Sequence, residues 1–265
     1  MKEETKGIIK YFDLVNWWLE TFSAEERDYI EKIYQAEKVK PHLGEPPPLI
    51  VGDIRYSDEA VTHFLLGLAS LFPTVNDLNL VNRIRKKAEE LIERETDILV
   101  RHFYYHNLIE SFYGARRDNP EALNMMILPC EKQISLSPNA VIAFRENWRF
   151  CKGPTPGHTG FSKLIEVFFE QGRYEDAILL AKQAKSDGWA GYWDVMIERF
   201  EKMGSGNGVP KIFKVIKDNP GILQTELYRQ IDLPKDVISS FLYNEELKGK
   251  ISRTKKGKTY ELRLN

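Results

Sequence analysis

The side chains best suited to binding chemistry lie in two stretches near the C-terminus. Hydroxyl, amide and phenol groups recur on one face of a predicted helix between residues 235 and 244, and cations cluster between 253 and 258. Hydroxyls and amides can hydrogen-bond base edges in a major groove, whereas lysine contacts phosphate and gives affinity without sequence information. The candidate DNA-binding residues are Lys235, Ser239, Ser240, Tyr243, Asn244, Arg253, Lys255, Lys256 and Lys258.

The distribution of charge supports this interpretation. Residues 209–265 contain twelve Lys and Arg against seven Asp and Glu, a net charge of +5, whereas the rest of the chain carries −6. A basic segment attached to an acidic body is typical of a tethered DNA-binding module. The predicted helix has no arginine, however, and Asp236, Glu245 and Glu246 would repel phosphate. Duplex DNA is therefore the leading partner, docking of a protein is the alternative, and the third alternative is RNA or no partner at all.

Three predicted helices and two predicted strands would position these residues. Apolar side chains recur at helical spacing in the third helix, at Val237, Ile238, Phe241 and Leu242, which predicts that this face is buried. The helices span 210–218, 224–231 and 234–247, and the strands span 250–253 and 259–262, joined by 254–258.

Three helices followed by a basic, glycine-containing hairpin resemble the winged helix-turn-helix family. The resemblance covers 209–265, and its most specific part is Leu247-Lys248-Gly249-Lys250-Ile251. It implies that the third helix enters a major groove and that the hairpin, called the wing, contacts the phosphate backbone. Winged helices also serve as protein-docking modules, so the resemblance leaves the protein alternative open.

A glycine-rich segment, Gly204-Ser205-Gly206-Asn207-Gly208, precedes this region. Three glycines in five residues without a core residue predict a flexible linker. The segments 1–203 and 209–265 are therefore expected to fold separately, with few shared contacts. The glycines do not predict a nucleotide loop, because no strand precedes them and no Lys-Ser or Lys-Thr pair follows.

Residues 96–203 are predicted to form helical hairpins. In the second hairpin, Gly172-Arg173-Tyr174-Glu175-Asp176-Ala177-Ile178 is followed by Ala181 and Ala184. This segment resembles the tetratricopeptide repeat, in which small residues let two antiparallel helices approach closely. Ile165 stands where that family usually has glycine, and Trp189 where it usually has proline. The resemblance implies a concave surface that binds a protein or peptide, and no chemistry.

The first hairpin resembles the same family through its closing segment, Glu131-Lys132-Gln133-Ile134-Ser135-Leu136-Ser137-Pro138. The turn alanines Ala122 and Ala177 lie 55 positions apart, whereas the family repeats at about 34 residues. An extra helix near 139–148 and a loop at 153–157 account for the excess.

Catalytic, metal and cofactor sites are not expected. The chain lacks a Walker loop, a G-x-S-x-G elbow, a zinc-protease motif and paired metal cysteines. His102 and His106 share a helix face, but no Glu follows His102. Cys130 and Cys151 are isolated, which favours a reducing cytoplasm over a disulfide framework. The charged N-terminus and the absence of a long apolar stretch argue against a signal peptide and a membrane span.

Other patterns predict packing. Ser23 and Glu26 have the spacing of a helix capping box. The basic run at 83–87 is followed one turn later by glutamates, which favours a solvated helix face over a nucleic-acid site. Aromatic residues at helical spacing are expected to be core and not a ligand cage. These aromatic residues are Phe103, Tyr104, Tyr105, Trp148, Trp189, Tyr192 and Trp193.

The composition, 42% hydrophobic and 29% charged, fits a globular chain with a sizeable core. We therefore expect a mainly α, non-enzymatic cytoplasmic regulator or adaptor that needs no cofactor. Its predicted parts are a helical region at 1–95, a tetratricopeptide-like array of helical hairpins at 96–203, a linker at 204–208 and a small α+β winged helix at 209–265. The array would bind a protein or peptide and the winged helix DNA. The oligomeric state is left open.

Overall fold

The computed structural model describes residues 5–38, 48–72, 75–116, 119, 121–147, 153–204 and 208–265. The chain forms two compact units, residues 1–129 and 130–265. Within the described ranges, no helix is long and apolar enough to cross a membrane.

The first unit is mainly helical in its described part, and residues 48–60 lie outside any helix. Its capping box is confirmed, because the Ser23 amide donates to Glu26 Oε2 at 2.9 Å and the Glu26 amide donates to Ser23 Oγ at 3.2 Å. Its elements are α1 (Gly7–Tyr11), α2 (Val15–Thr21), α3 (Ala24–Lys38), α4 (Val61–Ser70), a 3-10 turn (Val75–Asp77), α5 (Leu78–Ile92), α6 (Ile98–Ala115) and the start of α7 (Ala122–Ser135).

Several charged and polar residues of this unit serve packing. Arg83, in the basic run of α5, forms an ion pair with Glu26 of α3 and donates to the Thr21 carbonyl at 2.7 Å. The same run places Lys87 3.6 Å from Glu90. His102 is 3% exposed, and its pKa falls to about 4 through burial first and the neighbouring His106 second. A neutral, packed histidine explains this position.

The second unit contains the remaining helices and the only sheet found in the described ranges. The strands are antiparallel in the order β1-β3-β2. This arrangement confirms a mainly α chain with a small α+β end. The elements are α8 (Ser137–Glu146), α9 (Thr159–Glu170), α10 (Tyr174–Asp187), α11 (Trp193–Gly204), α12 (Val209–Asp218), β1 (Ile222–Leu223), α13 (Gln224–Gln230), α14 (Lys235–Leu247), β2 (Ile251–Lys256) and β3 (Thr259–Leu264).

The second of the hairpins predicted within 96–203 is present as α9 and α10. Gly172, with φ +76°, makes the turn between them, a conformation that favours glycine. Ala177, Ala181 and Ala184 are completely buried, so α10 packs closely against both α9 and α11. We call α9, α10 and α11 the helical clamp.

Buried polar groups fix the start of the clamp. The Gly160 amide donates to Gln133 Oε1 at 2.7 Å, and Trp189 Nε1 donates to Ser137 Oγ at 2.7 Å. His158 caps α9, because its Nδ1 accepts from the Phe161 amide at 3.2 Å. These contacts give His158 a structural role.

The aromatic residues at helical spacing are mostly core, as predicted. Tyr104, Tyr105, Trp189 and Trp193 are each at most 5% exposed. Phe103 is half-buried. Tyr192, directly before α11, is the exception, since 83% of it is exposed. Trp148 lies outside the described residues, as does Cys151.

The two segments on either side of the predicted linker were expected to share few contacts. The structure instead shows direct packing between them. We call 209–265 the C-terminal module. Met203 of α11 belongs to its hydrophobic core, and Phe169 and Tyr174 of the clamp pack against that core. A Cβ at Gly208 would lie 2.3 Å from the carbonyl oxygens of Lys202 and Met203, so the chain enters the module in close contact with α11. Residues 205–207 of the linker lie outside the described residues.

Candidate nucleic-acid interface

The C-terminal module is built on the apolar stripe predicted for its third helix. Val237, Ile238, Phe241 and Leu242 of α14 are all buried, which confirms that prediction. They meet apolar side chains of α12, α13 and the sheet. These partners are Ile212, Val215, Ile216, Ile222, Leu227, Ile231, Ile251 and Leu262.

The strand β1 was not predicted. Ile222 and Leu223 pair with Leu262 and Glu261 of β3, directly after Gly221, whose φ is +90°. A strand of two residues is too short to show an alternating pattern, so no sequence signal marks it. Because of β1, the strand β3 is central and fastens the β2–β3 hairpin to the helices.

The β2–β3 hairpin is longer than predicted. The expected loop at 254–258 is wrong, because β2 continues to Lys256 and only Gly257 and Lys258 connect it to β3. Lys255 pairs with Tyr260 and Lys256 with Thr259. Since successive strand residues point to opposite faces, Lys255 and Lys256 cannot face the same surface. The ladder hydrogen bonds override the turn-like appearance of the basic run.

Charge pairing further separates the lysines of this hairpin. Lys256 forms an ion pair with Glu261, which also accepts from Arg263 Nη2 at 2.8 Å. These hydrogen bonds, from Lys256 first and Arg263 second, lower the pKa of Glu261. Among the described residues, Lys255 and Lys258 take part in no ion pair, and both are exposed. They are the cations most available to a ligand at the hairpin end.

Arg253 is a structural residue. Only 9% of its side chain is exposed, and it lies 3.3 Å from Glu246 Oε2 of α14. Its Nη2 donates to Gln224 Oε1 at 3.3 Å, and its guanidinium lies 4.3 Å from the centre of the Tyr260 ring. Arg253 therefore holds the hairpin to α13 and α14, and these contacts leave little of its side chain exposed.

Ser239 is likewise engaged inside the module. Its hydroxyl lies 2.5 Å from Tyr228 OH and accepts from Gln224 Nε2 at 3.2 Å. Gln224, 5% exposed, thus joins Ser239 and Arg253. Gln224 could not be identified from the sequence, because a glutamine at the start of a helix carries no distinguishing signal.

Ser240, Tyr243 and Asn244 are brought together, but beside the helical clamp. They line a groove of about 490 Å³ with residues of α9 and α11. Tyr243 remains 53% exposed at its edge. The clamp residues of the groove are Ser162, Ile165, Glu166, Phe169, Glu170, Met196, Arg199 and Phe200.

Two of the three carboxylates expected to repel phosphate are matched by cations. Glu246 pairs with Arg253. Glu245 pairs with Lys248 at 2.9 Å and Lys250 at 3.1 Å. Burial raises the pKa of Glu245, but the hydrogen bonds from these two lysines outweigh it and lower the pKa. At the start of α14, Asp236 and Lys235 are exposed, and neither forms an ion pair with another described residue.

The nine predicted site residues therefore fall into distinct groups. Ser239 and Arg253 are structural, and Lys256 is paired at the surface. Ser240, Tyr243 and Asn244 share a groove with the clamp, while Lys235, Lys255 and Lys258 are exposed cations. In the described part of the chain, no group of three His, Cys, Asp or Glu could hold a metal ion. Comparison with family models, curated proteins and solved structures found no match.

Proposed function

We propose that the C-terminal module is a winged helix that binds duplex DNA, chiefly by contacting phosphates, within a non-enzymatic cytoplasmic regulator. The observation that carries this proposal is the position of Lys255 and Lys258. Both are exposed at the end of a fixed β-hairpin, outside any ion pair of the described residues, in a module of net charge +5. A lysine that meets phosphate displaces counterions from the duplex, which favours binding.

The hairpin suits this role because the fold restrains it. Its strand β3 is paired on both sides, and Arg253 attaches β2 to α13 and α14. Glu245 and Glu246, which would oppose phosphate, are matched by cations of the same module. The positive charge at the end of the hairpin is therefore not offset by α14.

The test compares two double variants of the full-length chain in binding a random-sequence duplex at several salt concentrations. Lys255→Ala/Lys258→Ala should weaken binding by about tenfold at low salt and make the salt slope shallower by about 2, because each phosphate contact contributes about 1. Lys214→Ala/Lys217→Ala removes the same charge from exposed positions of α12 and serves as the control. If both variants lose affinity equally, the hairpin has no special role.

A second candidate is docking of a protein by the module. The exposure of Tyr243 and of Leu247, which is 69% exposed, on α14 favours it, because aromatic and aliphatic side chains are typical anchors at protein interfaces. Failure of the full-length chain to retain any duplex at low salt would favour this candidate.

We further propose that the helical array binds a protein or peptide. The resemblance of α9 and α10 to a tetratricopeptide repeat supports this, as do the exposed apolar residues Leu179, Tyr192 and Val195. Tyr192→Ala/Val195→Ala should abolish retention of such a partner and leave duplex binding unchanged. A loss of both activities would indicate a general folding defect.

A further inference from the structure

We infer that the helical clamp withholds α14 from the base pairs, so that the protein binds duplex DNA through its backbone without selecting a base sequence until this contact opens. The inference rests on the proposed function and concerns its regulation.

A direct polar contact joins the clamp to α14 at its C-terminal end. Lys248 Nζ donates to the Glu170 carbonyl at 2.5 Å and to Glu245 Oε1 at 2.9 Å. Glu170 is the last residue of α9, where carbonyl groups lack helical partners and carry partial negative charge. A lysine at this position satisfies a carbonyl and complements the helix dipole.

Apolar packing reinforces this contact. Phe169 and Tyr174 lie on either side of the α9–α10 turn, with ring centres 5.7 Å apart, and both pack against the core of the module. Burial, and then the charge of Glu245, raise the pKa of Tyr174 to about 12. The Tyr174 side chain of the clamp is therefore partly buried near Glu245 of α14, although the two residues are distant in the chain.

The groove between α14 and the clamp contains the residues that were predicted to contact base edges. Ser240, Tyr243 and Asn244 face a space of about 490 Å³ shared with α9 and α11. A space of this size is typical of a small-molecule pocket. A helix with its side chains is about 10–12 Å across, and the B-DNA major groove is about 12 Å wide and 8.5 Å deep. An inserted helix therefore needs free space on both flanks, and on the flank that carries Ser240, Tyr243 and Asn244 the free space is limited to this groove between α14 and the clamp.

The exposed cations of the module lie outside this groove. The groove itself carries mixed charge, because Glu166, Glu170 and Arg199 of the clamp line it and Glu166 pairs with Lys163 at 4.0 Å. Lys235, Lys255 and Lys258 do not line this groove and remain exposed. While the clamp lies beside α14, the ligand that fits the module is thus a DNA duplex bound through its phosphates.

The experiment selects bound duplexes from a randomised pool, using the full-length protein and two variants that weaken the contact. Phe169→Ala removes apolar packing, and the milder Lys248→Met removes the hydrogen bond to Glu170 and the ion pair with Glu245 but keeps the aliphatic stem. Lys217→Met, an exposed lysine of α12, controls for the lost charge. Hydrogen exchange over 240–248 reports opening, and circular dichroism checks that the variants remain folded.

The wild type and the Lys217→Met control should enrich no sequence more than about threefold. A variant that exchanges faster over 240–248 should enrich a sequence class by about tenfold or more, and adding Tyr243→Ala should remove that enrichment. Each of three results would overturn the inference: a wild type that already selects a sequence through Tyr243, opened variants that select none, or folded variants with unchanged exchange. Retention of unselected duplex is measured in the same experiment, and its absence in every protein would overturn the proposed function instead.

Discussion

The β2–β3 hairpin and α14 were both predicted to contact DNA, yet folding leaves their polar side chains in different situations. At the hairpin end, Lys255 and Lys258 extend from a two-stranded ribbon that other elements do not cover. On α14, Ser239 bonds to α13, and Tyr243 and Asn244 face the helical clamp. A residue type suited to DNA binding is thus available only where no neighbouring element already uses it.

The largest effect is expected from breaking the core beneath both regions. Leu242→Ala removes a completely buried side chain and should lower the free energy of unfolding by about 2–5 kcal/mol. Because Met203 belongs to the same core, hydrogen-exchange protection should fall in α11 as well as in α14. Leu179→Ala, at an exposed position of α10, is the control and should cost less than about 0.5 kcal/mol. If hydrogen-exchange protection in α11 did not change in Leu242→Ala, the module would fold independently of α11, as the sequence predicted.

The next prediction separates two cations of the same strand. Arg253→Ala should lower the free energy of unfolding by about 1–3 kcal/mol, because it leaves Glu246 and Gln224 without their guanidinium partner. Lys255→Ala should change it by less than about 0.5 kcal/mol but should weaken duplex binding. Chemical denaturation and binding assays on both variants test this. If the two variants had the same free energy of unfolding, Arg253 would contribute no more to stability than Lys255.

The role of Gln224 provides a finer test within α13. Gln224→Ala removes the amide that joins Ser239 to Arg253 and should cost about 1–2 kcal/mol of stability. Gln230→Ala, at an exposed position of the same helix, should have almost no effect. Thermal unfolding of both proteins gives the comparison. A Gln224→Ala protein as stable as the control would mean that this network does not hold α14.

The smallest effect concerns pH. The pKa of Glu245 is lowered in the folded protein, because hydrogen bonds from Lys248 and Lys250 outweigh the effect of burial. Its contribution to stability is therefore present above the ordinary value of about 4.5 and is lost as the pH falls through the lower folded pKa. Glu245→Gln should flatten the pH dependence of unfolding below about 4.5. Glu175→Gln, at an exposed position of α10, should leave it unchanged.

Much of the local structure could be predicted because it follows from neighbours in the chain. The apolar stripe of α14, the alanines of α10 and the Ser23 capping box each depend on residues within one or two helical turns. The lengths of the strands were harder to predict from the sequence. Lys255 and Lys256 belong to β2 because residues of β3 pair with them, and β1 exists because β3 offers a free edge.

The candidate site could be predicted only in part. The sequence identifies the cations and polar groups that could contact DNA. It does not show which of these side chains form hydrogen bonds or ion pairs within the folded protein. Arg253 and Ser239 are used by Gln224, whose separations from them in the chain are 29 and 15 residues. Lys248 is used by a backbone carbonyl 78 residues away, which no side-chain pattern can reveal.

By itself, the sequence determined the helical periodicities, the basic charge of residues 209–265 and the order of helices and hairpin within them. These properties depend on short-range backbone geometry and on composition. The tertiary structure alone decided that α14 lies against the helical clamp and that the hairpin lysines stand free of it. The reason is physical: availability of a charged or polar group depends on what packs beside it, and packing joins residues that are distant in the chain.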